Sequence, residues 1–247
     1  MKKIFVFVFA LMIFLISSHA GADKIMLATG EWTPYTSKKL DGYGFITEVV
    51  SEVFKEIGVK TEYKFYPWRR CYHLVKSGKI WGAFPYTYTE ERAKEVLFSD
   101  SVGESKTVFF YYKKKKDYVY DTLDNLKPFK LGGIVGYFYE EAFKKAGLQV
   151  DCAPDEISAI NKLAAGRMEL LPLNELVGWY YIGKKFPDKV NDFGRLEKAY
   201  STDELKLIVS KQYPNSSNLL KQFNKHLSNI KTGDRYKAIL KKYGISD

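Results

Sequence analysis

Arg92 sits in the run spanning residues 81–100, WGAFPYTYTEERAKEVLFSD, a few positions after a cluster of tyrosine and threonine hydroxyls. A planar guanidinium can grip both oxygens of a carboxylate at once. Free backbone N–H groups at an irregular strand end complete such a cradle. The run contains no evident nucleophile–base pair. These residue types at this spacing predict a place that holds a small anion, not one that transforms it.

The elements that must position this run follow from periodicity. KIMLAT at 24–29 reads as a short strand. Apolar residues at 45, 46, 49, 50, 53, 54 and 57 form a helical stripe, and Gly58 closes it. Residues 60–66 alternate as a strand, Pro67 opens a helix that runs to Val75, and 80–84 is a strand. This β-α-β-α-β order predicts a parallel sheet. Short strands are expected up to Asp100 and over 107–112. A second unit then alternates in the same way: strands at 130–135, 149–152 and 168–173, and helices at 140–146, 155–164 and 175–182. A strand at 205–209 and helices at 215–229 and 234–243 close the chain. Two α/β units side by side make a cleft, and ligands of such sheets bind outside the carboxyl ends of the strands.

Lys2 and Lys3 precede an apolar run over residues 4–16, followed by Ala20-Gly21-Ala22. This pattern predicts a signal peptide over residues 1–22, cleaved after Ala22. The run is shorter than the roughly 18 apolar residues of a membrane span. With no cysteine just after it, a lipid anchor is not expected, and a soluble periplasmic protein is. The net charge of +10 raises the question of nucleic acid. The lysines are scattered, however, with one tight run at 113–116, and an exported chain rarely meets nucleic acid, so a solvated basic surface is the expectation. Export makes a disulfide between Cys71 and Cys152 chemically possible, but they lie far apart in sequence, one in each unit, which argues against a simple local staple. Two cysteines and three dispersed histidines show no metal-ligand spacing. An aromatic content of 16% leaves rings to spare for a binding surface.

Several segments taken together resemble the bacterial extracellular solute-binding proteins of family 3, the periplasmic receptors of polar amino acid ABC transporters. They are Trp32-Thr33-Pro34-Tyr35, Gly42-Tyr43-Gly44-Phe45, Pro67-Trp68, Ser77-Gly78-Lys79, Thr87-Tyr88-Thr89-Glu90-Glu91-Arg92 with Phe98-Ser99-Asp100, Ala165-Gly166-Arg167-Met168-Glu169, and Thr232-Gly233-Asp234-Arg235-Tyr236. Each is weak alone; their order and spacing are specific. The resemblance implies a type II two-lobe periplasmic-binding-protein fold, with two Rossmann-like α/β lobes joined by a two-segment hinge. Lobe one would be residues 23–112 and 204–247, and lobe two residues 113–203. It also implies a monomer without a cofactor that closes on a small amino acid or carboxylate and docks on a membrane permease.

By the same resemblance Arg92 binds the ligand carboxylate, with Thr87 donating beside it. Trp32 and Trp68 fall where relatives stack aromatic rings on the ligand. Phe84 stands where relatives have small polar residues and offers a wall and its backbone, with core packing as the competing role; Tyr86 offers a hydroxyl. Tyr137 and Phe138 replace small hydroxyl residues at a helix start, leaving their backbone N–H groups for an anion. Asn174 stands where amino acid receptors carry an Asp for the α-ammonium, and it brings no charge. Glu175 is the neighbouring carboxylate. Two alternatives share the fold. One is an enzyme like the cyclohexadienyl dehydratases, for which Glu31, His73 and Glu175 are the available acids and bases. The other is a sensor that passes its closed state to a signalling protein.

Overall fold

A computed structural model describes residues 24–113, 117–135 and 137–245. The expected leader, Lys114 to Lys116 of the lysine run and the Gly136 turn lie outside the described residues. Strand β1 (Lys24–Thr29) pairs in parallel with β2 (Lys60–Phe65) and with β3 (Gly82–Tyr86). Helix α1 (Phe45–Ile57) joins β1 to β2, and α2 (Trp68–Lys76) joins β2 to β3. The α1 stripe buries Val49, Val50, Val53 and Phe54. The helix stops at Gly58, whose left-handed φ of 83° turns its N–H onto the Lys55 carbonyl.

Beyond β3 the sheet departs from the parallel expectation. After the short helix α3 (Glu90–Glu95), β4 (Val96–Tyr112) is a single strand of 17 residues. Two separate strands were expected because register irregularities between Phe98 and Gly103 interrupt the alternation. β4 pairs antiparallel with β9 (Ser201–Ser210), from Val96–Ser210 to Thr107–Ser201, and β9 pairs antiparallel with β3. The order in this sheet is β2-β1-β3-β9-β4-β7, with β7 spanning Leu171–Asn174, so within it the parallel arrangement holds for the first three strands only.

Between β4 and β9 the chain builds its second unit. β5 (Leu131–Ile134) and β6 (Val150–Ala153) are parallel. β7 (Leu171–Asn174) and β8 (Phe193–Arg195) pair antiparallel with the far half of β4. Helices α4 (Glu140–Lys145), α5 (Glu156–Ala164) and α6 (Glu175–Lys185) alternate with these strands. After β9, α7 (Ser216–Lys231) and α8 (Asp234–Lys242) return to the first unit, where Phe223 of α7 packs on Phe54 with ring centroids 5.3 Å apart.

Each unit has apolar side chains on both faces of its strands. In the first, Leu27, Phe54, Trp81, Leu207 and Phe223 pack on one face, and Ala28, Cys71, Val75 and Ile208 on the other. In the second, the alternation of β4 sends Val108 and Phe110 to the core under α5 and α6, and Phe109 to the core with Leu126, Tyr139 and Phe143. Each buried Val, Leu, Ile or Phe of these cores stabilises by about 1.5–3 kcal/mol. Cys71 is buried on α2, its thiol donating to the Thr29 carbonyl at 3.3 Å, and Cys152 lies on β6; both are free thiols.

Candidate functional site

The β4–β9 ribbon runs from one unit to the other and presents different chemistry on its two faces. Ser105 pairs in register with Asp203, and Thr107 with Ser201. Directly opposite residues share a face, so these side chains stand together, whereas Glu104 and Lys106 alternate to the reverse face. On the first face lies a cavity of about 490 Å³. The ribbon contributes Ser105, Thr107 and Asp203 to it, and the first unit contributes Trp32 and Thr87. Its remaining lining comes from the second unit: Tyr137, Phe138, Tyr139, Leu173, Asn174 and Val177.

Five of the nine side chains singled out in the sequence meet here: Trp32, Thr87, Tyr137, Phe138 and Asn174. Trp32 is half-buried and stacks on Tyr35, with centroids 4.1 Å apart and planes 13° from parallel. Thr87 follows β3. Arg92 stands one step behind it: Nη1 donates to the Thr87 carbonyl at 2.8 Å and to its Oγ1 at 3.2 Å. The half-buried guanidinium also lies over the Tyr86 ring, 5.6 Å from its centroid. Helix α3 fixes this placement, because its N-cap Thr89 accepts the backbone N–H of Arg92. Arg92 therefore braces the cavity wall through Thr87 and does not itself line the cavity.

Three expected side chains lie elsewhere. Phe84 is fully buried in the first core, edge-on to Tyr63 at 5.8 Å, and its carbonyl accepts the Thr29 hydroxyl at 2.7 Å. It is a core residue, not a ligand wall, and its backbone acceptor is taken. The Tyr86 hydroxyl donates to the Trp68 carbonyl at 2.8 Å, and burial holds its proton well above the usual phenol range. Trp68 packs over Gly30, where a Cβ would come within 2.4 Å of the indole, and it borders a separate hollow with Glu31 and Lys38. Trp32 and Trp68 therefore do not form a sandwich.

At the second unit's side, Tyr137 donates its hydroxyl to the Glu156 carboxylate in a short hydrogen bond, and burial followed by that contact raises its pKa. The Tyr137 N–H, expected to be free for an anion, donates to the Ile134 carbonyl at 3.2 Å. Tyr139 is buried, its hydroxyl held between the Ile134 N–H and the Pro172 carbonyl. Phe138 stands at the rim, 63% exposed.

Asn174 is the N-cap of α6. Its Oδ1 accepts the Val177 N–H at 3.1 Å, and Nδ2 donates to the Tyr35 hydroxyl at 3.1 Å and to Ser105 Oγ at 3.0 Å. Both amide hydrogens are thereby spent on the first unit and the ribbon. Glu175 does not replace the missing charge at 174. It pairs with Arg195 in a short contact and with Lys106 at 3.4 Å, bordering a second hollow on the reverse face of the ribbon. Glu31 accepts the Lys38 N–H outside the cavity, and His73 is exposed on α2. Among the described residues, none of the three acid–base candidates lines the cavity.

The lining residues missed in the sequence are Ser105, Thr107, Tyr139, Leu173, Val177 and Asp203. The signal for Asp203 was the alternation Ser201, Asp203, Leu205, hidden because the strand was started at Leu205. Asp203 is exposed.

The fold is one that known proteins share. Comparison with curated proteins returned no match. Among solved structures, an ancestral arginine-binding protein bound to arginine is 26% identical, with a TM-score of 0.64 over 89% of this chain and 97% of that one. The substrate binding protein of an amino acid ABC transporter is 22% identical, with a TM-score of 0.61 over 89% and 98%. A histidine kinase sensor domain with similarity to periplasmic binding proteins is 18% identical, with a TM-score of 0.66 over 90% and 96%. They share with this chain the type II two-lobe fold that its two cores and crossing ribbon build. The family profile runs from residue 25 to residue 246, nearly the whole described chain, so the protein belongs to the bacterial extracellular solute-binding proteins, family 3.

Proposed function

We propose that this protein is a periplasmic receptor that captures a small polar solute, an amino acid or related carboxylate, and delivers it to the membrane permease of an ABC importer. In this reading a signal peptide over residues 1–22 is removed. Of the expected bounds, 23–112 and 204–247 for lobe one and 113–203 for lobe two, the first crossing moves earlier, because Val108, Phe109 and Phe110 pack in the second unit's cores; the β4–β9 ribbon is the hinge about which the lobes close. The monomer needs no cofactor and catalyses nothing.

The observation that carries this reading is the cavity itself, which draws its lining from both units and from the strands that join them. A ligand held there makes contacts that exist only when the lobes are together, which is what couples binding to closure. Thr87, braced from behind by Arg92, is the carboxylate end of the site. The binding reading is favoured over a dehydratase-like enzyme because Glu31, His73 and Glu175 lie away from the cavity lining. A sensor role is the second reading, supported by the shared fold of the histidine kinase sensor domain.

A thermal-shift panel of amino acids, small carboxylates and polyamines on the mature chain tests the proposal. A ligand at one hundred times its dissociation constant stabilises by about 2.7 kcal/mol. A flat response across the panel would reject the binding role. Conversion of prephenate to phenylpyruvate above background would favour the enzyme instead.

A further inference from the structure

The cavity has no charge at position 174, yet it carries a carboxylate. Asp203 lines it, on the same face of the ribbon as Ser105 and Thr107. Its side chain is exposed to the cavity's solvent and makes no hydrogen bond or ion pair with a described residue. The nearby charges on β9 are otherwise engaged: Glu204 pairs with Lys206 at 2.8 Å. No lysine, arginine or histidine is among the described lining residues, since Arg92 stands behind Thr87. A chain of net charge +10 thus encloses a cavity whose one ionised lining group is negative. Trp32, Tyr137, Phe138 and Tyr139 add aromatic rings, whose faces attract cations.

We infer that the solute bears an ammonium group and that Asp203 is its counter-ion. This deepens the binding role proposed above and rests on it. The hinge ribbon, not the start of α6, then supplies the charge that neutral Asn174 lacks. The carboxylate belongs to the strand about which the lobes would move, so it stays in the site whether they are open or closed. An ammonium donates to the carboxylate and rests against the rings, and removing the carboxylate's charge should weaken binding about tenfold to a hundredfold.

The test is isothermal titration of the mature chain with lysine, glutamine and putrescine, which carry ammonium groups, and with glutarate and succinate, which do not. The expected result is that an ammonium-bearing probe binds more tightly than either dicarboxylate. Asp203→Asn should weaken that probe about tenfold or more, and Asp203→Glu should restore most of the loss, with unchanged thermal unfolding of the free proteins. A dicarboxylate that outbinds every ammonium probe, or an affinity that Asp203→Asn leaves nearly unaltered, overturns the inference while the binding role stands. Should a wider panel select a different solute, the same variants are titrated with it, and a solute lacking a cationic group likewise overturns the inference alone. Absence of binding throughout overturns the receptor role and this inference together.

Discussion

Asn174 donates its side-chain amide to the Tyr35 hydroxyl at 3.1 Å, tying the first turn of α6 to the loop after β1. The same amide reaches Ser105 at 3.0 Å, and Tyr35 in turn donates to the Glu104 carbonyl at 3.0 Å. Its one proton is therefore committed, so the Tyr35 oxygen can only accept from residue 174.

Asn174→Asp should for this reason destabilise the protein by about 1–3 kcal/mol. Aspartate caps α6 as well as asparagine does, but it has no hydrogen for Tyr35 or Ser105. A thermal midpoint lower by several degrees is expected, and an unchanged midpoint would show that these bonds contribute nothing.

Arg92→Ala should weaken solute binding about tenfold or more while leaving the far-ultraviolet circular dichroism unchanged, because the side chain is half-buried on a short helix. Both contacts to Thr87 come from the single Nη1 atom, so Arg92→Lys, which can place one ammonium there, should recover part of the affinity. Full affinity in the alanine variant would remove Arg92 from the site.

Phe84→Ala and Trp32→Ala should separate stability from binding. The first empties a fully buried position and should cost about 3–5 kcal/mol in denaturant unfolding, with solute affinity retained by the folded fraction. The second removes a cavity ring and should weaken binding several-fold with a smaller loss of stability. Reversed effects would exchange the roles assigned to the two residues.

Stability should fall in alkaline solution. Burial pushes the Cys71 thiol up to about 11 and raises the Tyr35, Tyr86 and Tyr139 hydroxyls above the ordinary phenol value. The unfolded chain then releases these protons first, so the folded chain holds more protons and ΔG falls as pH rises. The contribution of Cys71 is fully present below its ordinary value of 9.0 and is lost progressively towards about 11. Each group adds a slope of at most about 1.4 kcal/mol per pH unit. Denaturant midpoints that stay level between about pH 8 and pH 10.5 would contradict this.

The sequence was most readable where the signal is local. The α1 stripe and its glycine stop were found residue for residue because the period of a helix shows within a few turns. Partners distant in the chain were not readable. Asn174 could be flagged by its type, but Tyr35 and Ser105, 139 and 69 residues away, could not be assigned to it. Phe84 and Tyr86 sit beside a register shift between Ala83 and Tyr86, so alternation alone did not say which side each would occupy. Asp203 lies in the polar triplet Thr202-Asp203-Glu204, which reads as a loop until β4 is known to pair with it.

The irregular pairing of β4 between Phe98 and Gly103 sets the phase of everything beyond it. Were one residue deleted there and the ribbon to slip by one position, Glu104 and Lys106 would rotate inward and Ser105 and Thr107 outward. A single-codon deletion in a segment that touches no solute would thus turn a mildly polar chamber into a strongly charged one. Selectivity in this scaffold can change abruptly by indel, without any substitution among the residues that surround the guest.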